Sequence, residues 1–207
     1  MSDLSDAVPK HRLRFPPFLG DRNGNPASLG LRGLIAEDYR THDRDWFSEG
    51  FWVLFWHRFG NWRMGLPKLL RMPMTLIYRM MFRWASRSTG IYLPYTVRVG
   101  RRVRLEHFGG MILVAQKIGD DVVIRQNTTF GIARMCELED RPVIGNRVEI
   151  GAGAVVLGAV KVGDGAVIGA NSVVVRDVPP GAVVGGVPAQ ILKPAPKAVA
   201  SIPKRAV

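Results

Sequence analysis

Cut into sixes, residues 144–178 read IGNRVE IGAGAV VLGAVK VGDGAV IGANSV VVRDV. An aliphatic residue opens each block: Ile144, Ile150, Val156, Val162, Ile168 and Val174. Glycine follows four of them directly, at Gly145, Gly151, Gly163 and Gly169. A small or β-branched residue stands four places after each opener, at Val148, Ala154, Val160, Ala166, Ser172 and Val178. Ordinary strands alternate with period two between turns of variable length, and they do not sustain a period of six. Six residues fit one flat side and one corner, so three blocks close a triangular coil. The aliphatic residue then points to the axis, the small residue fits beside the corner, and glycine is expected to relax the backbone at the turn. Each coil buries its interior only by stacking on the next, so the blocks must come in series. A valine-rich sandwich would explain the composition but not the period.

Outward from this stretch, the same phase recurs at Ile118 and Ile124, with Val122 and Thr128 in the fourth place. Shifted by one residue, it extends back through Val99, Leu105 and Met111. The repeat therefore occupies 97–194, with a projecting loop at 131–143 where the phase is lost. Residues 34–96 carry a helical pattern, with breaks expected at Gly65-Leu66-Pro67 and again at Met72-Pro73. Residues 1–33, with Pro16-Pro17 and Asn23-Gly24-Asn25-Pro26, read as an irregular arm, and 195–207 as a tail.

Composition bounds the function. One cysteine, Cys136, among 207 residues excludes an intramolecular disulfide framework and a multi-cysteine metal site. The stretch Met1 to Lys10 is polar, with no apolar core of a secretory signal, and no run reaches a membrane span; the longest, Phe51 to Trp56, is far too short. A cytoplasmic protein is expected. The net charge of +12 invites a polyanion, yet no nucleic-acid-binding signature accompanies it. Much of the charge lies among bulky apolar residues. Trp46, Phe47, Phe51, Trp52, Phe55, Trp56, Phe59 and Trp62 surround Arg58 and Arg63, and Leu69, Leu70, Leu76, Ile77, Met80, Met81 and Trp84 interleave with Arg71, Arg79, Arg83 and Arg87. Two readings stay open: helices lying peripherally on the inner membrane face, or helices packed on the repeat domain or between subunits.

Three segments carry a resemblance. Leu105-Glu106-His107-Phe108-Gly109-Gly110 resembles an acid-His catalytic coil; Ile124-Arg125-Gln126-Asn127-Thr128-Thr129-Phe130-Gly131 resembles the coil before a projecting loop; Val178-Pro179-Pro180-Gly181 with Gly185-Gly186-Val187-Pro188-Ala189 resembles a terminating coil. Over about residues 90–194 the chain is similar to the hexapeptide-repeat acyltransferases, nearest to serine acetyltransferases and to polysaccharide-cluster acetyltransferases of the colanic acid type. The resemblance implies a mainly β fold, a left-handed parallel β-helix behind an N-terminal helical region. The left hand comes from the family, since parallel crossovers otherwise favour the right.

It also implies acetyl-CoA as donor and a homotrimer; neither a metal nor a nucleic acid is expected. Transfer to a hydroxyl needs a base near neutral pH, and imidazole suits that task. His107 is the one histidine of the repeat domain, since His11, His42 and His57 all precede it, and it falls on the catalytic position of the family. Glu106, where serine acetyltransferases usually carry Asp, is suited to orienting the imidazole or to binding the acceptor, although adjacent strand residues point to opposite faces. The resemblance makes Asn127 and Arg141 candidates for acceptor binding, Arg141 being suited either to an anionic group of the acceptor or to a surface ion pair. It maps Gly131, Ala152, Ala170, Val175, Arg176, Gln190 and Lys193 to a coenzyme A groove between neighbouring β-helices, with narrow corners for the pantetheine arm and cations for the phosphates.

One departure bears on the acceptor. Serine acetyltransferases carry Arg-His-Pro at the end of the loop, whereas Asp140-Arg141-Pro142 here has no His. That favours a sugar hydroxyl in surface polysaccharide assembly, either a small molecule or a lipid-linked saccharide. Serine O-acetylation is the alternative; the tail Ser201 to Val207 lacks the terminal Ile with which many such enzymes dock their sulfhydrylase. A non-enzymatic scaffold, or a zinc hydratase needing about three His ligands, fits the repeat domain poorly.

Overall fold

Ser48 opens the central helix by accepting a hydrogen bond from the Phe51 N–H, and Glu49 adds a carboxylate to the positive end of the helix. The computed structural model describes residues 20–107, 109–134 and 139–194. Residues 1–19 of the arm, Phe108, Cys136 and the tail 195–207 lie outside the described residues. Three helices come first: α1 (Leu31–Thr41), α2 (Glu49–Trp62) and α3 (Lys68–Thr89). The first begins at Leu31, with Leu34 N–H donating to the Gly30 carbonyl, inside what the sequence reads as the arm. A 3-10 turn, Arg63–Gly65, makes the expected break before Pro67. The second expected break is absent: α3 runs through Pro73 and ends only at Gly90, whose φ is 71°. Pro73 costs the bond to the Leu69 carbonyl, and both residues are exposed, which leaves that carbonyl open to solvent.

The rest of the described residues form a β-helix of fifteen short strands on three faces. One face stacks β1 (Ile91–Tyr92), β4 (Met111–Leu113), β7 (Thr129–Gly131), β10 (Val155–Leu157) and β13 (Val173–Val174). The second stacks β2 (Arg98–Val99), β5 (Lys117–Ile118), β8 (Val143–Ile144) and β11 (Lys161–Val162). The third stacks β3 (Arg104–Glu106), β6 (Val123–Arg125), β9 (Glu149–Ile150), β12 (Val167–Ile168) and β14 (Val183–Gly185), and β15 (Gln190–Lys193) closes it antiparallel. The first strand lies at Ile91, one side earlier than the boundary read at 97. Ile150 pairs with Ile168 and Val156 with Val174, eighteen positions apart, which is three sixes per coil. Every opener of the repeat is buried, and so is every fourth-place residue.

Glycine after the opener has a different cause from the expected one. The positive φ at the corners belongs to other residues, such as Arg102, Asp121, Asn127, Arg147 and Asn171. Gly151 instead lies where a Cβ would stand 2.5 Å from the Ala170 nitrogen of the next coil. It is absence of bulk, not backbone freedom, that the repeat selects there.

The helices close the open end of the coil stack. A first coil presents unpaired backbone groups, which must find partners. His57 on α2 donates from Nε2 to the Val97 carbonyl at 2.9 Å; Arg58 donates to the carbonyls of Val99 (2.8 Å) and Gly100 (2.6 Å). The Leu105 N–H donates to Nε2 of His42 at 3.2 Å, while the His42 Nδ1–H donates to the Asp38 carbonyl. Asp38 on α1 grips Arg58 with both carboxylate oxygens, and both side chains are buried. Gly50 lets α2 approach: a Cβ there would meet the Leu105 carbonyl oxygen at 2.5 Å. Thus Arg58 is a buried clamp, and Arg63 stacks over the rings of Tyr78 and Tyr95 at 4.6 and 4.5 Å. The arginines of α2 and its following turn face inward.

Candidate active site

The corner after β3 is longer than the one above it. Eight positions separate Leu105 from Leu113, but six separate their partners Ile124 and Phe130. His107 lies in this lengthened corner. It is exposed, with φ 65°, the left-handed conformation also taken on the same corner by Asn127 (59°), Gly153 (71°) and Asn171 (55°). Histidine adopts this region less reluctantly than most side chains. The ladder between coils at this corner is intact: the Gly153 N–H donates to the Gln126 carbonyl, and the Asn171 N–H to that of Ala152.

Around His107 the structure gathers Glu106, Asn127, Ala152 and Ala170 along one edge of the prism. Asn127 lies over the glycines that follow His107; a Cβ on Gly109 would stand 3.1 Å from its Oδ1. Glu106 is occupied by arginines. Its Oε2 accepts from Arg125 Nε at 3.2 Å, and its Oε1 lies 3.3 Å from Arg104 Nε. Arg104 in turn reaches Asp43 and the Thr41 carbonyl, so the acid is tied to the helix α1–α2 connection. Gln126, which the sequence reading passed over, belongs to the same corner, one coil along from His107. Its Oε1 is buried and accepts no hydrogen bond from the described residues. The only sequence signal for it is its place beside Asn127.

The other predicted residues lie elsewhere. Gly131 ends β7, where the 131–143 loop leaves the next corner of the prism; its carbonyl accepts from the Gly158 N–H. The loop lengthens this coil to twenty-six positions, Phe130 pairing with Val156. Its return is fixed by the Arg141 N–H donating to the Glu139 carbonyl and the Gln116 N–H donating to that of Pro142. Val175 and Arg176, both exposed, follow β13 onto the same corner as the loop. Gln190 and Lys193, exposed on β15, cap the third face at the far end of the stack. The candidate residues therefore fall on two corners and an end, and one prism does not bring them into a single groove. Among the described residues no three His, Cys, Asp or Glu side chains gather as a metal site.

Residues 141–176 match the family model described as bacterial transferase hexapeptide (six repeats). The chain is 37% identical over 144 residues to a serine acetyltransferase of Mycobacterium tuberculosis, a match covering 69% of this chain and 60% of that protein. It is 38% identical over 117 residues to a serine acetyltransferase of Helicobacter pylori, covering 56% of this chain and 68% of that one. Among solved structures, the serine acetyltransferase of Brucella abortus in complex with coenzyme A superposes with TM-score 0.67 at 26% identity, over 80% of this chain and 68% of that chain. The soybean serine acetyltransferase apoenzyme gives TM-score 0.66 at 29% identity, over 78% and 69%. The protein thus spans about three-fifths to two-thirds of the length of these relatives. By its repeat, its coil geometry and these matches, the chain belongs to the hexapeptide-repeat transferase family that includes the serine acetyltransferases.

Proposed function

We propose that the protein is an acetyl-CoA-dependent O-acetyltransferase with His107 as its base. The observation that carries this reading is an exposed imidazole, the one histidine of the repeat domain, held at a lengthened corner of the coil. The imidazole removes the proton of the acceptor hydroxyl as its oxygen attacks the thioester carbonyl. The tetrahedral intermediate then expels the coenzyme A thiolate, which takes the same proton back from the imidazolium. The products are the acetyl ester and free thiol.

Acetyl-CoA as donor is supported by the relatives, one of which has been solved with coenzyme A. The division of the candidate residues between two corners supports a site between adjacent β-helices. One chain supplies His107, Asn127, Ala152 and Ala170; its neighbour supplies Gly131, Arg141, Val175 and Arg176. A homotrimer repeats that contact three times.

Serine is the acceptor these relatives favour, and the sugar acceptor expected from the sequence gains no support from them. One observation keeps a saccharide as the second reading: Asp140-Arg141-Pro142 lacks the histidine that serine acetyltransferases carry there. Thiol release from acetyl-CoA separates the two. Turnover with L-serine, absent with saccharides, supports serine; the reverse selects the sugar. In either case His107→Ala is expected to lower turnover by about a hundredfold or more. Unchanged turnover would remove it as the base.

A further inference from the structure

Helix α3 has two faces of different kind. Tyr78, Ala85 and Thr89 are buried on the inner one. At roughly 100° per residue, Leu69, Pro73, Leu76, Ile77, Met80 and Trp84 fall together on the outer side. All six are exposed, Leu69 at 81% and Trp84 at 57%. Lys68, Arg79 and Arg83 run along one border of this stripe, and Arg87 closes its C-terminal end. The helix contains no Asp or Glu to neutralise them. Among the described residues none of the four cations forms an ion pair; the ion pairs are made by Arg58, Arg101, Arg102, Arg104 and Arg125.

An apolar stripe bordered by unpaired guanidinium groups, with a tryptophan in it, matches the interface of a bilayer bearing anionic headgroups. The hydrocarbon boundary receives Leu69, Leu76 and Met80, the indole lies at headgroup depth, and the arginines reach the phosphates. A second copy of the same face would bring cations with no carboxylate to receive them. No helix among the described residues is long and apolar enough to cross a membrane, so contact would be in the plane. We propose that the outer face of α3 binds the surface of an anionic membrane, whichever acceptor the protein acetylates.

Flotation of the full chain with vesicles tests this, using phosphatidylcholine alone or with phosphatidylglycerol added, at low and high salt. Binding is expected only with the anionic lipid, and weaker at high salt. Each cation removed near such a surface costs roughly fivefold in affinity, so Arg79→Gln/Arg83→Gln/Arg87→Gln is expected to lose about a hundredfold. Leu76→Ser/Met80→Ser/Trp84→Ser is expected to lose at least about tenfold. These side chains are exposed, so thermal melts should stay unchanged; Trp84→Ser alone serves if the triple variant melts early. Failure to float with anionic vesicles overturns the proposal. So does full binding by the apolar variant, which would mean adsorption through net charge alone. A change of oligomeric state in that variant also overturns it, by making the face a contact between copies.

Discussion

The interior of the β-helix and the seam between its first coil and the helices are both buried, but they are held by opposite chemistry. Inside the coils, Ile144, Ile150, Val156, Val162 and Ile168 stack with no polar partner needed, because the ladder satisfies the backbone. At the seam, Asp38, His42, His57 and Arg58 are as buried as those aliphatics, and each makes directed bonds to backbone or partner. Apolar stacking tolerates exchange of like for like. The seam tolerates little, because a lost partner strands a buried polar group.

The largest effect expected from that difference is at Arg58. Arg58→Ala leaves the Asp38 carboxylate and the carbonyls of Val99 and Gly100 without their donors, and about 3–5 kcal/mol of stability should be lost in urea unfolding. A loss close to that of an interior Ile168→Val, about 1 kcal/mol, would erase the contrast. Next is Gly151→Ala. Its Cβ would press on the backbone of the following coil, with an expected cost of about 1–3 kcal/mol. Gly165→Ala, at φ 69° with open space around it, should cost about 1 kcal/mol through backbone strain alone.

The smallest step is in pH. Burial holds His57 neutral, its pKa lowered to about 3, and pushes that of His42 down as well. A folded-state pKa below the unfolded one means that the unfolded chain takes up protons first as pH falls. The stability they contribute is therefore complete above about pH 6.5 and is lost progressively below it. Thermal melts from pH 6 to pH 5 should show roughly 1 kcal/mol lost for His57, and His57→Gln should flatten that slope. An unaltered slope in the variant would assign acid sensitivity to the carboxylates instead.

The interior was legible in the sequence because burial there has a period: Ile118, Ile124 and Ile144 announce themselves by spacing. The seam has none. Arg58 and Arg63 read as two more cations in an aromatic helix, since only the tertiary approach of α2 to Val97, Val99 and Leu105 gives them carbonyls and rings to meet. Pro73 reads as a break because the sequence does not reveal that its side of the helix faces solvent. The reason for Gly145 and Gly151 also lay one coil away, at Asp164 and Ala170. That His107 is a candidate was legible from its neighbours. The division of the remaining candidate residues between two corners was not, since a linear pattern does not say which corner a residue turns.

The way the helices and β15 finish the two ends of the stack has a consequence for the molecule in a crowded solution. Parallel coils with bare ends would add further chains end to end, much as a filament grows. Here one end is occupied by Arg58, His57 and His42, and on the third face the other end meets a strand running the wrong way, β15. Among the described residues, a fibre-forming geometry is blocked at one end and on one face of the other.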